Sequence, residues 1–206
     1  MKKGIVAAFS TIGGFCLTTG LSYPLLALIL ENRGTSTGLI GLNAAMTPLG
    51  IIVSSPFIPM LTRRIGAWFM CVASLCLAAV LLVMLGVFRD VMIWFPLRFL
   101  LGVANTVIFI ISEAWINQLA EPGIRGRTIG LYNTIAAAGF ALGPLALALI
   151  GSQGWPPFLV GVAGILMALP FVVMAREHLP EFNGKEKASV FGVYCHICFG
   201  YGCCHF

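Results

Sequence analysis

Residues 4–30 read GIVAAFSTIGGFCLTTGLSYPLLALIL, an apolar run without a single Asp, Glu, Lys or Arg. A bilayer core of about 30 Å is crossed by about 20 helical residues at 1.5 Å each, so the stretch is long enough to span. Lipid offers the backbone no hydrogen-bond partners, which leaves helices and closed barrels as the only spanning structures. The run is continuous and does not alternate with period 2, so it reads as a helix. Lys2 and Lys3 precede it as they would in a signal peptide. It is nevertheless far longer than an h-region of about 7–15 residues, and no small-x-small cleavage site leads into a polar domain. The reading is a retained span.

The rest of the chain repeats this pattern. Charged and turn-forming residues cut it into six apolar blocks, at about 4–30, 38–60, 66–88, 91–117, 128–150 and 156–175. Of the 206 residues, 59% are hydrophobic and 9% charged, against about a quarter charged in a soluble domain. The mean hydropathy is +1.00. A small soluble domain still has to present a large polar exterior, so a disordered chain, a disulfide scaffold and a soluble enzyme are excluded. The 12 Lys and Arg against 7 Asp and Glu are too sparse for a nucleic-acid surface. They read as topology signals. Lys2, Lys3, Arg63, Arg64, Arg125, Arg127, Arg176, Lys185 and Lys187 fall on one side, Arg33 and Arg89 on the other. The positive-inside rule then puts both termini in the cytoplasm of an inner (plasma) membrane protein.

An internal repeat sharpens the fold. Adding 89 to the first three blocks lands on the last three, with Gly13 on Gly102, Ile40-Gly41-Leu42 on Ile129-Gly130-Leu131, and Gly50 on Gly139. Three spans is an odd number, so the second copy starts on the opposite side of the membrane. That is the inverted arrangement of secondary transporters. The expected fold class is all-α, a polytopic helical bundle of six spans as a 3+3 inverted repeat.

Chemistry-bearing residues inside the spans are few. Arg98 lies about eight residues into the fourth block, roughly 10–12 Å deep. An Arg there faces a wet cavity or a partner, for anion binding or proton coupling, or else snorkels to the interface. Glu113 follows on the same helix, offset by about 60° and ~22 Å along the axis. It reads as part of an inner-face charge network with Arg63, Arg64, Arg125 and Arg127, or as a proton carrier. Thr19, Tyr23, Asn43, Asn105 and Asn133, with Thr18, Ser22, Thr47, Thr106 and Thr134, line a solute path or bond neighbouring helices and their own backbone. Gly139 and Gly143 form a flat stripe, and Pro144 a bend. Tyr23-Pro24 is a second expected bend. No His or Asp lies inside a span, so an intramembrane protease has no catalytic set. No cofactor is implied.

These residues resemble the amino-terminal half of a major facilitator superfamily transporter, over roughly residues 4–190. That family's fifth-span motif G-x8-G-x3-G-P-x2-G-G is met by Gly130, Gly139, Gly143 and Pro144, with Leu147 and Ala148 in place of the last two glycines. Arg98 and Gly102 match the fourth-span R-x-x-q-G-x-g. Leu61, Arg64 and Gly66 match the loop G-x-L-a-D-R-x-G-R-K. Pro59, Arg63, Ala67 and Trp68 depart from it. The resemblance implies transport of a small molecule by alternating access, with proton coupling as one option. It also implies that a second six-helix half, or a second copy, completes the machine. A non-transporting six-span protein is the other reading.

Residues 178–192 read as a cytoplasmic linker and the start of a seventh span. The last fourteen, 193–206, break composition abruptly: Cys195, Cys198, Cys203 and Cys204 crowd together with His196 and His205. A frameshift or early termination is the expectation there, ahead of a zinc site. Cys16, Cys71 and Cys76 are expected as small apolar residues within spans.

Overall fold

The computed structural model describes residues 2–180 of the chain; the seventh-span start and the Cys/His tail lie outside them. Among the described residues seven α-helices follow one another: α1 Lys2–Asn32, α2 Thr37–Ser54, α3 Ile58–Ile65, α4 Ala67–Val87, α5 Val91–Leu119, α6 Arg125–Ile150 and α7 Pro156–Met174. All but α3 are long and apolar enough to cross a membrane. The protein is an all-α polytopic bundle and an integral membrane protein.

Local chemistry sets the ends. Asp90 caps α5, its Oδ1 accepting from the Met92 N–H at 2.9 Å, which satisfies one of the donors a helix start leaves open. Gly66 stops α3 at φ 96° and Gly151 stops α6 at φ 84°, a backbone region costly for residues with a Cβ. The second apolar block is not one helix. It breaks at Ser55-Pro56-Phe57, and α3 then carries Arg63 and Arg64. Pro56 has no N–H to give and its ring crowds the preceding turn, so the chain turns there. Pro24 and Pro144, by contrast, lie within continuous helices.

The packing has the symmetry that the sequence repeat predicts. α1 packs along α6 and α7, and α5 packs along α2 and α4. Exchanging α1 with α5, α2 with α6 and α4 with α7 maps one set of contacts onto the other. The pairs α1/α5 and α4/α7 map onto themselves, and both are in contact. Two glycine crossings obey the same offset. A Cβ on Gly102 would strike the Thr47 carbonyl oxygen, and one on Gly50 the Phe99 carbonyl oxygen, so α2 and α5 touch backbone to backbone. At the counterpart crossing a Cβ on Gly139 would sit 2.9 Å from Cys16 Cβ and 3.1 Å from the Gly13 oxygen. Such contact lets dispersion hold helices together where lipid removes any hydrophobic drive.

α1 and α5 therefore form the middle. The outer faces of α4 and α7 carry bulky apolar side chains such as Val80, Leu166 and Met167, suited to lipid. α2 and α6 are more exposed and more mixed. α6 leaves Gly130, Asn133, Thr134 and Ala137 uncovered beside Phe140 and Leu142, and α2 leaves Gly38, Gly41 and Ala45.

Candidate functional site

A cavity opens where α1, α2 and α5 meet. Thr18, Thr19, Ser22, Tyr23 and Leu26 line it from α1, Thr47 from α2, and Arg98, Leu101 and Asn105 from α5. It is narrow, with about 10 Å³ of room for a water-sized sphere. α1 and α5 are the repeat-related central helices, so their two polar stretches converge on one place. Arg98 is only 1% exposed. A charged side chain inside a span costs up to about 2.5–3.5 kcal/mol even on the mild insertion scale, and Arg98 stands with hydroxyl and amide side chains on the cavity wall.

Most hydroxyls at this level already donate to backbone carbonyls. Thr19 Oγ1 donates to the Phe15 oxygen at 2.8 Å, and Ser22 Oγ to the Thr18 oxygen. Thr18 Oγ1 reaches across to the Gly161 oxygen at 2.8 Å, joining α1 to α7. Below the cavity, Ser54 Oγ donates to Thr106 Oγ1 at 3.1 Å, and Thr106 in turn to the Gly102 oxygen at 2.8 Å. Only the Thr18 bond ties two helices, while those of Thr19 and Ser22 stay within α1; all three residues also line the cavity.

Of the six residues that the sequence marks as a path, four line this cavity: Thr19, Tyr23, Arg98 and Asn105. Asn43 is fully buried one turn from Thr47 on the α2 stripe Asn43, Thr47, Gly50 and Ser54, and both its side-chain heteroatoms lack a hydrogen-bond partner. Asn133 is exposed on α6, away from the cavity. Leu26 and Leu101 complete the wall; nothing in their apolar character distinguishes them in the sequence from dozens of neighbours.

The opposite end of the bundle carries the basic residues. Arg63 and Arg64 end α3, Arg125 and Arg127 begin α6, and all four are exposed. Glu113 is half-buried on α5. One turn on, Asn117 Nδ2 donates to the Glu113 backbone oxygen at 2.9 Å, and Arg125 Nη2 reaches Asn117 Oδ1 at 3.5 Å. Ser112 and Tyr132 share a buried 2.9 Å hydrogen bond between α5 and α6. Trp68, which stands where the loop motif has a basic residue, donates from Nε1 to the Val172 oxygen at 3.0 Å. The Arg176 guanidinium lies 4.6 Å over its ring. A ring-and-cation clasp between α4 and the end of α7 occupies this corner of the bundle's end. A departure from the motif was its only signal in the sequence.

The motif glycines divide. Gly139 and Gly143 press on α1, whereas a Cβ on Gly130 would meet nothing. Pro144 follows directly and is exposed.

A family model described as Major Facilitator Superfamily matches residues 8–195. The uncharacterized MFS-type transporter YfkF of Bacillus subtilis is 27% identical over 187 residues, covering 90% of this chain and 47% of the relative. Multidrug resistance protein MdtG of Citrobacter koseri is 28% identical over 188 residues, 85% of this chain and 46% of the relative. Multidrug resistance protein 2 of Bacillus subtilis is 23% identical over 198 residues, 92% and 50% respectively. The chain spans about half the length of the curated relatives it matches.

Proposed function

The chain belongs to the Major Facilitator Superfamily, and from that premise we propose that it is the six-helix half of a secondary transporter that moves a small molecule by alternating access. The observation that carries this is the Arg98 cavity. A permanent charge and a cluster of hydroxyl and amide groups converge from both repeat copies at mid-depth in a bundle whose α4 and α7 faces are bulky and apolar. That is where a solute site lies in folds built from inverted repeats.

A second six-helix half covers α2 and α6, whose exposed glycines, alanines, Asn133 and Thr134 suit another helix better than they suit lipid. Rocking then occurs between halves, while each half moves as a body held by its glycine crossings. Arg63, Arg64, Arg125 and Arg127 lie on the cytoplasmic face, with both termini, in an inner membrane. Glu113 is the acidic group placed to exchange protons with that face. The chain does no covalent chemistry on its solute.

The test is efflux of fluorescent solutes from membrane vesicles carrying the chain, alone and with a second half supplied from a relative. Flux that disappears in Arg98→Ala supports the reading. Flux indifferent to Arg98 removes the site, and no flux with any second half leaves a non-transporting membrane protein.

A further inference from the structure

We propose that the cavity between α1, α2 and α5 binds a single ordered water, which joins α1 to the α2–α5 pair. The water site goes beyond the transport reading and can be tested apart from it.

Size and lining decide the occupant. The cavity has about 10 Å³ of room for a water-sized sphere, and one water needs roughly 10–15 Å³ by that measure. The space thus takes one water and no organic molecule. Cavities that stay dry are apolar, whereas a space with about two to four polar partners in reach holds water. Here Thr18, Thr19 and Ser22 line the space from α1, Thr47 from α2 and Asn105 from α5. All five are buried.

The same wall offers both kinds of hydrogen-bonding group. The hydroxyls of Thr18, Thr19 and Ser22 give their protons to carbonyl oxygens, so toward the cavity they accept. The Asn105 amide brings N–H donors as well as a carbonyl, and the Thr47 hydroxyl can give or receive. A water does both at once, which suits a mixed wall. Arg98 and Tyr23 line the same space but take part in interactions of their own, and the site does not need them.

Its place in the fold gives the water a structural part. α2 meets α5 backbone to backbone at Gly50 and Gly102, while α1 packs along α6 and α7. Thr18 is itself fixed to α7 through the Gly161 oxygen. A water held between the α1 hydroxyls and Thr47 and Asn105 therefore bridges the α1–α6–α7 group to the α2–α4–α5 group. Such a bridge is enthalpically nearly as good as a direct hydrogen bond.

The experiment is radiolytic footprinting of the full chain in nanodiscs. A short X-ray pulse makes hydroxyl radicals from bound water in place, and mass spectrometry locates the oxidised side chains. Leu25 and Leu26 are adjacent on α1 and equally buried, at 1% and 2% exposure, but Leu26 lines the cavity and Leu25 does not. Leu26 is expected to oxidise severalfold faster than Leu25. Thr47→Val, which removes one polar partner at nearly constant shape, should lower that excess. Equal rates at the two leucines overturn the water site, and an excess untouched by Thr47→Val overturns the bridge to α2. Radicals made in bulk solvent by peroxide photolysis should spare both leucines. Oxidation of Leu26 by that route as readily as by the X-ray pulse would mean open solvent in place of a bound water, and would overturn the site as well. The comparison of Leu25 with Leu26 needs no variant, so a fold defect in Thr47→Val does not blunt it. Vesicle flux does not enter the readout, so the transport reading can fail while the water site stands, and the reverse.

Discussion

Adding one methyl group at Gly102 tests how the bundle is held. In the structure that Cβ would press on the Thr47 carbonyl oxygen, with Thr47 Cα 3.2 Å away. The obstacle is backbone on a packed helix, so no side-chain rotation relieves it. α2 and α5 must separate by roughly 1 Å, and a gap of that size forfeits a quarter to a half of the contact attraction along the seam. Overpacking of this kind costs about 1–3 kcal/mol, and lipid supplies no hydrophobic force to offset it. Gly139→Ala should cost a similar amount at the symmetry-related crossing, where the new atom meets Cys16 and Leu17. Gly41→Ala and Gly130→Ala meet nothing within 4 Å, so they should be neutral or gain up to about 1 kcal/mol of helix propensity. Unfolding of the four variants in mixed micelles, followed by circular dichroism, gives the comparison. If Gly102→Ala matched the parent, or Gly130→Ala were as damaging as Gly139→Ala, the backbone-contact account of the fold would be wrong.

Other consequences follow from single contacts. A double-mutant cycle on Ser112→Ala and Tyr132→Phe should return about 0.6 kcal/mol of coupling, the usual size for a hydrogen bond between membrane helices; zero coupling would mean the pair is not formed. Asn43→Leu should leave the unfolding midpoint unchanged or raise it, because a buried amide without partners carries an unrecovered desolvation cost; a loss above about 1 kcal/mol would reveal a partner. Trp68→Leu removes both the Val172 hydrogen bond and the Arg176 stack, and should loosen the end of α7 by about 1–2 kcal/mol, read as faster amide exchange at residues 170–176. Unaltered exchange there would deny the clasp a structural part.

The spans and their repeat were legible in the sequence because both rest on coarse signals. An uncharged run of residues cannot hide in a chain, and a fixed offset of 89 survives poor identity. Arg98 was equally plain, since a lone charge in an apolar block has few uses. The break at Pro56 was missed because block hydropathy continues straight through it, and only the missing N–H marks the turn. Asn43 and Asn133 looked alike as mid-span amides, yet one faces α5 and the other the outside; a helical wheel gives angles but not which neighbour fills them. The Trp68–Arg176 clasp joins residues more than a hundred positions apart, and pairings at that range come from packing, not from local pattern.

The central claim is a bundle turned inside out relative to a soluble protein, wet at the Arg98 cavity and dry on its outer face. It is tested most directly by placing one cysteine at a time in a cysteine-free background and exposing vesicles to a membrane-impermeant thiol reagent. Tyr23→Cys lines the cavity at half-buried exposure, while Met167→Cys projects from α7 at 69% exposure. The account predicts that Tyr23→Cys reacts and Met167→Cys does not, despite its greater exposure, because lipid covers it. Labelling of Met167→Cys as fast as, or faster than, Tyr23→Cys would contradict it.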